Sequence, residues 1–269
     1  MGLLDFILNL AVLLLWLNWR SLRLDPVANS IPLTLAGTLK STKPAPLKGW
    51  QFLFGLCLLL TLRVVVCREI GSPVDWIPTM NLGFVALAFR RDNLSTAALY
   101  CLLSSLRLVL VFYFWRLVLV AINRDSNELD AIQRLLRLHL GRIARWPAVV
   151  QVLLPMVVTA GLWMGVQPLL VRYGVVIRAG SLAHLVGQGF LIGGSLCLSL
   201  KYLIPAILLT HLVNSYVYLG NNPVWDFLTT TSRNITAPLA RLPLRFGKVD
   251  LAPIVAALLI LLLLHWLPN

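Results

Sequence analysis

A chain of 269 residues that is 59% hydrophobic and 12% charged is poorly suited to water, where soluble domains carry about 25% charged residues. Its net charge of +13 would fit a nucleic-acid binder. The Lys and Arg residues instead flank apolar runs, and no basic tract is interleaved with aromatics, so a membrane-embedded chain is expected and nucleic acid is excluded as a partner.

Leu3 to Trp19 is predicted as a first membrane span, closed by Trp16, Trp19 and Arg20. Asp5 precedes this apolar run and Arg20 follows it, the wrong charge order for a cleaved signal, so the span is expected to be retained. A polar, Pro-rich connector from Ser21 to Gly49 leads to a second span, Trp50 to Cys67. Arg63 lies one turn from the end of that span, where an arginine is expected to snorkel to the headgroups. Arg68 to Asn93 is broken by Pro73 and Pro78, and Leu82 to Phe89 is too short to cross, so a surface or re-entrant segment is expected.

Leu94 to Ile122 reads as a long third span containing Arg107 and Arg116. These lie nine residues apart, two and a half turns, and are expected on opposite sides of the helix. Asn127 to Trp146 is an amphipathic helix by pattern, with Glu128 and Asp130 in its first turn. Ile132, Leu136, Leu140 and Ile143 form its apolar stripe, and Arg134, Arg137, Arg142 and Arg145 its basic face. Such a helix between two spans is expected to lie in the membrane surface against anionic lipid headgroups. Val149 to Val171 is the fourth span.

From Ser181 to Leu219 the chain is apolar or small apart from Lys201, His184, His211 and a few amides. Such a length of helix is about twice what a bilayer core accommodates, so it must bend, break or partly lie outside. Leu196 to Leu219 is expected to be the crossing part. Gly189 and Gly193 have the spacing of a small-residue pair that seats a neighbouring helix, or mark where this helix loosens. The last span, Leu251 to Leu267, has no charge and one His.

Three places then align as repeats of helix, connector and helix. Asn222-Pro223 stands twenty residues before Pro243, Asp25-Pro26 twenty before Pro46, and Asn127-Glu128 nineteen before Pro147. Arg145-Trp146-Pro147 matches Arg241-Leu242-Pro243, and Leu154-Pro155-Met156-Val157 matches Ala252-Pro253-Ile254-Val255. The expected fold is all-α and polytopic, with about six transmembrane helices in hairpins: 1–93, a degenerate hairpin plus the surface segment; 94–171, a middle repeat; and 172–269, a C-terminal repeat.

The last repeat carries Ser215-Tyr216, Asn222-Pro223, Phe227-Leu228, Pro238, Arg241, Gly247, Asp250 and Pro253 in order. In this it resembles the YggT (YlmG) family of small integral membrane proteins. His211 stands where that family has Arg, and Ser232-Arg233-Asn234 replaces its Thr-Glu-Pro. The resemblance covers about 50 residues well and about another 50 loosely. It implies a bacterial inner-membrane protein of organisational or assembly function, with other membrane subunits as partners. Ion or osmolyte transport and haem maturation are the other activities the family implies.

The repeat connectors hold most of the loop Lys and Arg, which places them in the cytoplasm and, with six spans, both termini outside. No Ser-His-Asp set, phosphate loop or metal-binding histidine motif is present, so neither catalytic residues nor a cofactor is expected. Cys57, Cys67, Cys101 and Cys197 read as packing residues within helices. His211, with Asn214 and Ser215, makes a polar turn suited to an interhelical hydrogen bond. Arg107, Arg116 and Lys201 are intramembrane charges costing ~2.5–3.5 kcal/mol each at the bilayer centre. With carboxylates nearly absent from the spans, they are expected to meet carbonyls, water, headgroups or a partner chain, and Arg107 is the leading candidate for function.

Overall fold

The computed structural model describes residues 2–24, 49–69, 77–89, 93–124, 136, 140–217, 223–241, 245–246, 249–250 and 252–265. The chain is an all-α, multi-pass membrane protein. Five described helical stretches have the length and hydropathy to cross a bilayer: Gly2–Arg20, Gly49–Glu69, Leu94–Ile122, Ala148–Arg172 and Leu182–Ser215. Between 11% and 33% of each is buried within the protein, and residues such as Phe54, Leu102, Val157 and Phe190 point outward. Lipid is the environment in which so much apolar surface can remain uncovered.

The chain divides into two compact units, Met1–Met80 with Ala88–Val109, and Asn81–Leu87 with Leu110–Asn269. In the first, helix α1 (Gly2–Leu24) packs on α2 (Gly49–Glu69). Helix α3 (Leu94–Ile122) has the predicted bounds of the third span and runs through both units. The segment expected to be surface or re-entrant contains a short ribbon of β1 (Thr79–Asn81) and β2 (Ala86–Ala88). Its turn is set by Asn81, whose Oδ1 accepts the Gly83 N–H at 2.9 Å, and by Gly83, which sits at φ 91°. A side chain at Gly83 would also strike the Ser195 Cβ at 2.7 Å, so glycine is required twice over.

In the second unit, α4 (Ala148–Arg172) begins behind Pro147 and tolerates Pro155 and Pro168 within its length. The long apolar stretch resolves into α5 (Leu182–Leu198) and α6 (Leu200–Tyr216), divided at Ser199. The break falls inside the expected crossing part, Leu196–Leu219. Ser199 Oγ donates back to the Leu196 carbonyl at 2.6 Å and accepts Trp115 Nε1 at 2.8 Å, while Pro205 has no N–H for the carbonyl of Lys201. Both effects interrupt the ladder in the same two turns.

Helix α5 lies directly against α4. A Cβ on Gly193 would stand 2.4 Å from the Met156 carbonyl oxygen, and one on Gly189 would stand 3.1 Å from that of Ala160. The glycine pair therefore seats a neighbour and does not loosen the helix. Further on, α6 packs against α7 (Pro223–Thr236) and α8 (Ala252–His265), with a 3-10 turn, Ala237–Arg241, and a ribbon of β3 (Arg245–Phe246) and β4 (Val249–Asp250) in between. Leu208, Ala256 and Ala257 form the centre of that packing.

Most of the predicted amphipathic helix lies outside the described residues. In its described part, Leu136, Leu140 and Ile143 of the apolar stripe pack on Tyr113, Leu117 and Val120 of α3.

Candidate functional site

Among the described residues the most heavily buried charge is Arg63, which was expected to snorkel toward the headgroups. It is 0% exposed. Its Nη2 donates to Asp5 Oδ1 at 2.6 Å and its Nε to the same oxygen at 3.2 Å. Nη1 donates to Asn9 Oδ1 and to Ser105 Oγ, both at 2.7 Å, and to the Cys101 carbonyl at 3.1 Å. Tyr100 adds its hydroxyl to Asp5 Oδ2 at 3.0 Å, and Asn9 Nδ2 reaches Ser104 Oγ at 3.0 Å.

One guanidinium thus ties α1, α2 and α3 together. Periodicity explains the convergence: Asp5 and Asn9 are four apart on α1, as are Arg63 and Cys67 on α2 and Ala97, Cys101 and Ser105 on α3. Arg63 does not snorkel because α1 and α3 present it with a carboxylate, an amide, a hydroxyl and a carbonyl inside the protein. Asp5 is correspondingly an intramembrane counter-ion, which the expectation of carboxylate-poor spans had not paired. Cys67 and Cys101 stand beside the clasp with sulfurs 3.7 Å apart, both thiols free.

A second polar tie lies in the other unit. Asn123, buried after the last turn of α3, donates Nδ2 to Thr231 Oγ1 at 2.8 Å and accepts Asn234 Nδ2 at 2.9 Å. This fastens α3 to the amphipathic helix α7. Nearby in the chain, Gln151 Nε2 collects the carbonyls of Ile143, Ala144 and Trp146 at 2.9–3.2 Å, closing the 3-10 turn Gly141–Arg145 against the start of α4.

The residues singled out by sequence fall in several places. Arg116 is buried in α3, donates to the Leu136 carbonyl at 3.5 Å, and lies 5.6 Å from the Phe112 ring centroid and 6.0 Å from that of Tyr113. Arg107 is half-buried in the same helix. Lys201 Nζ lies 5.4 Å from the centroid of its neighbour Tyr202. His211 and Asn214 are half-buried on α6, one turn apart. Of the connector motif, Pro223 opens α7, Pro238 is exposed in the 3-10 turn that also holds Arg241, Asp250 ends β4, and Pro253 is buried in the first turn of α8. Asn222 and Gly247 lie outside the described residues, as do Arg134 and Arg137. Arg145 is exposed, and Arg142 shares its 3-10 turn.

Arg63, Asp5, Asn9, Tyr100, Ser105, Asn123, Gln151, Thr231 and Asn234 were missed as a set. The available signal was polar residues four apart within apolar runs, which marks a helix face but not its partner.

These geometries define a multi-pass helical membrane protein whose buried polar groups are arranged as helix-to-helix ties. No family model matches the chain, and neither a curated protein nor a solved structure does.

Proposed function

We propose that the chain is a non-enzymatic integral membrane scaffold or assembly subunit, of YggT-like kind, that docks other membrane proteins through its basic connectors. The observation that carries this reading is the Arg63 clasp. The most buried charge among the described residues has its donors engaged by the two neighbouring helices of its own chain, an arrangement that rigidifies a frame of three. Exposed Arg145 and Arg233 supply cationic contacts on the connectors, and the anionic headgroups of a bacterial inner membrane are their natural ground.

Extraction in mild detergent followed by mass spectrometry of co-purifying proteins tests the proposal. A stable larger complex that weakens when Arg145 and Arg233 are replaced by Glu is the expected result. Solitary elution in several detergents overturns it. A liposome flux abolished by Arg107→Ala would put transport in its place, and a Soret band lost with His211→Ala would put haem handling there.

A further inference from the structure

We infer that the cleft between the last turns of α4 and the start of α5 binds the phosphate of an anionic phospholipid. The cleft has a volume of about 520 Å³ and is lined by Gln167, Arg172, Arg178, Ser181, Leu182 and Leu185, among others. It lies where the chain leaves one long apolar helix and enters the next, the depth at which lipid headgroups sit.

Four features converge on such a ligand. Arg172 and Arg178 are both exposed, and among the described residues neither lies in ion-pair contact with a carboxylate. Two guanidinium groups with hydrogen-bond forks fit a phosphate better than any other group found at this depth. The N-terminus of α5 adds its own positive end. Ser181 Oγ caps the His184 N–H at 3.2 Å and the Ser181 carbonyl takes that of Leu185, so the N–H groups of Leu182 and Ala183 have no intrahelical acceptor.

Gln167 supplies the independent sign of a ligand. It is 6% exposed, it lines the cleft, and its side-chain nitrogen is buried without a hydrogen-bond partner. A buried amide donor in an apolar helix interface calls for an acceptor, and a glycerol or ester oxygen beneath the phosphate provides one.

The walls decide between a lipid and a free phosphate. Met164, Leu185 and Leu182 line the same cleft, and Leu182 is exposed apolar surface, as is Leu169 beside the lining residue Pro168 in the chain. A soluble phosphate would leave these walls uncovered, whereas a phospholipid covers them with its chains. This site goes beyond the scaffold reading and stands on other residues, so either can fail alone.

Native mass spectrometry of the full chain, released from detergent carrying phosphatidylglycerol or phosphatidylcholine, tests the site. One phosphatidylglycerol is expected to be retained in preference to phosphatidylcholine. Arg172→Gln with Arg178→Gln should lower that retention about tenfold, since charge-assisted bonds to the phosphate are lost. Gln167→Leu should lower it severalfold without changing net charge, and the double Arg-to-Lys variant should restore most of it. A charge-matched control, Arg68→Gln with Arg124→Gln, should behave like the parent. Equal retention by both double Gln variants overturns the site, as does indifference to Gln167→Leu. Displacement of the lipid by millimolar inorganic phosphate or glycerophosphoglycerol overturns the lipid as its occupant.

Discussion

Arg63 carries a full charge into the apolar part of α2, and its environment decides whether that charge weakens or secures the structure. Asp5 neutralises it at 2.6 Å, and Asn9, Ser105 and the Cys101 carbonyl take its remaining nearby donors. Removing one partner leaves the other charge buried, which costs about 3–5 kcal/mol, while replacing both by apolar residues of similar volume costs much less. Arg63→Met is therefore expected to lower the thermal midpoint in detergent sharply, and Asp5→Leu/Arg63→Met to recover a large part of the loss. Equal loss in the single and double variants would mean that the ion pair is not the coupled unit. The sequence displayed both residues at the edges of their spans, the positions from which charged side chains ordinarily reach water. Only the partner, 58 residues away, changes that default.

At the scale of elements, helix contacts rest on glycine in one place and on amides in another. Gly193 brings α5 so near α4 that any side chain meets backbone, the Met156 carbonyl at 2.4 Å, which cannot rotate aside. Gly193→Ala is expected to cost about 1–3 kcal/mol through forced separation of the helices. Gly187→Ala, on the same helix with nothing within 4 Å, should be neutral or slightly stabilising. Melting of the two variants side by side checks the difference, and equal effects would remove the close approach as its cause.

Asn123 joins α3 to α7 through Thr231 and Asn234. Asn123→Leu takes the 2.9 Å acceptor from the Asn234 amide, leaving it the Ile122 carbonyl at 3.4 Å, and should cost about 1–3 kcal/mol, read from the same melts. The spacing of Gly189 and Gly193 was legible in the sequence as a helix seat, because four residues return to the same face. The identity of the seated helix was not, since that depends on which carbonyls face the stripe. The apolar stripe through Leu136, Leu140 and Ile143 was legible as well, yet amphipathicity defines an apolar face without saying which surface covers it.

For the whole molecule, the described helices give five stretches able to cross a bilayer. Their outward-facing leucines and phenylalanines make release by alkaline carbonate or high salt an unexpected result. Helix α4 joins the basic connector ending at Trp146 to the turn at Gly174. The loop charge predicts cytoplasmic connectors, and on that expectation a reporter active only outside should be silent when fused after Trp146 and active after Gly174. The same response at both points would mean that α4 does not cross. The long apolar stretch 182–216 shows the limit of hydropathy at this scale: its length required an interruption, while Ser199, Trp115 and Pro205 decided where it falls.

Composition and apolar run length determined by themselves that this chain lives in a membrane as a set of helices, because transfer of apolar surface depends on amount and barely on arrangement. The bounds of α3 and α4 followed from the same local information. Which polar residues inside those helices find one another was decided only by tertiary structure. A hydrogen bond or ion pair acts over about 3 Å, and Arg63 with Asp5, or Asn123 with Thr231, are brought within that distance only when the helices pack.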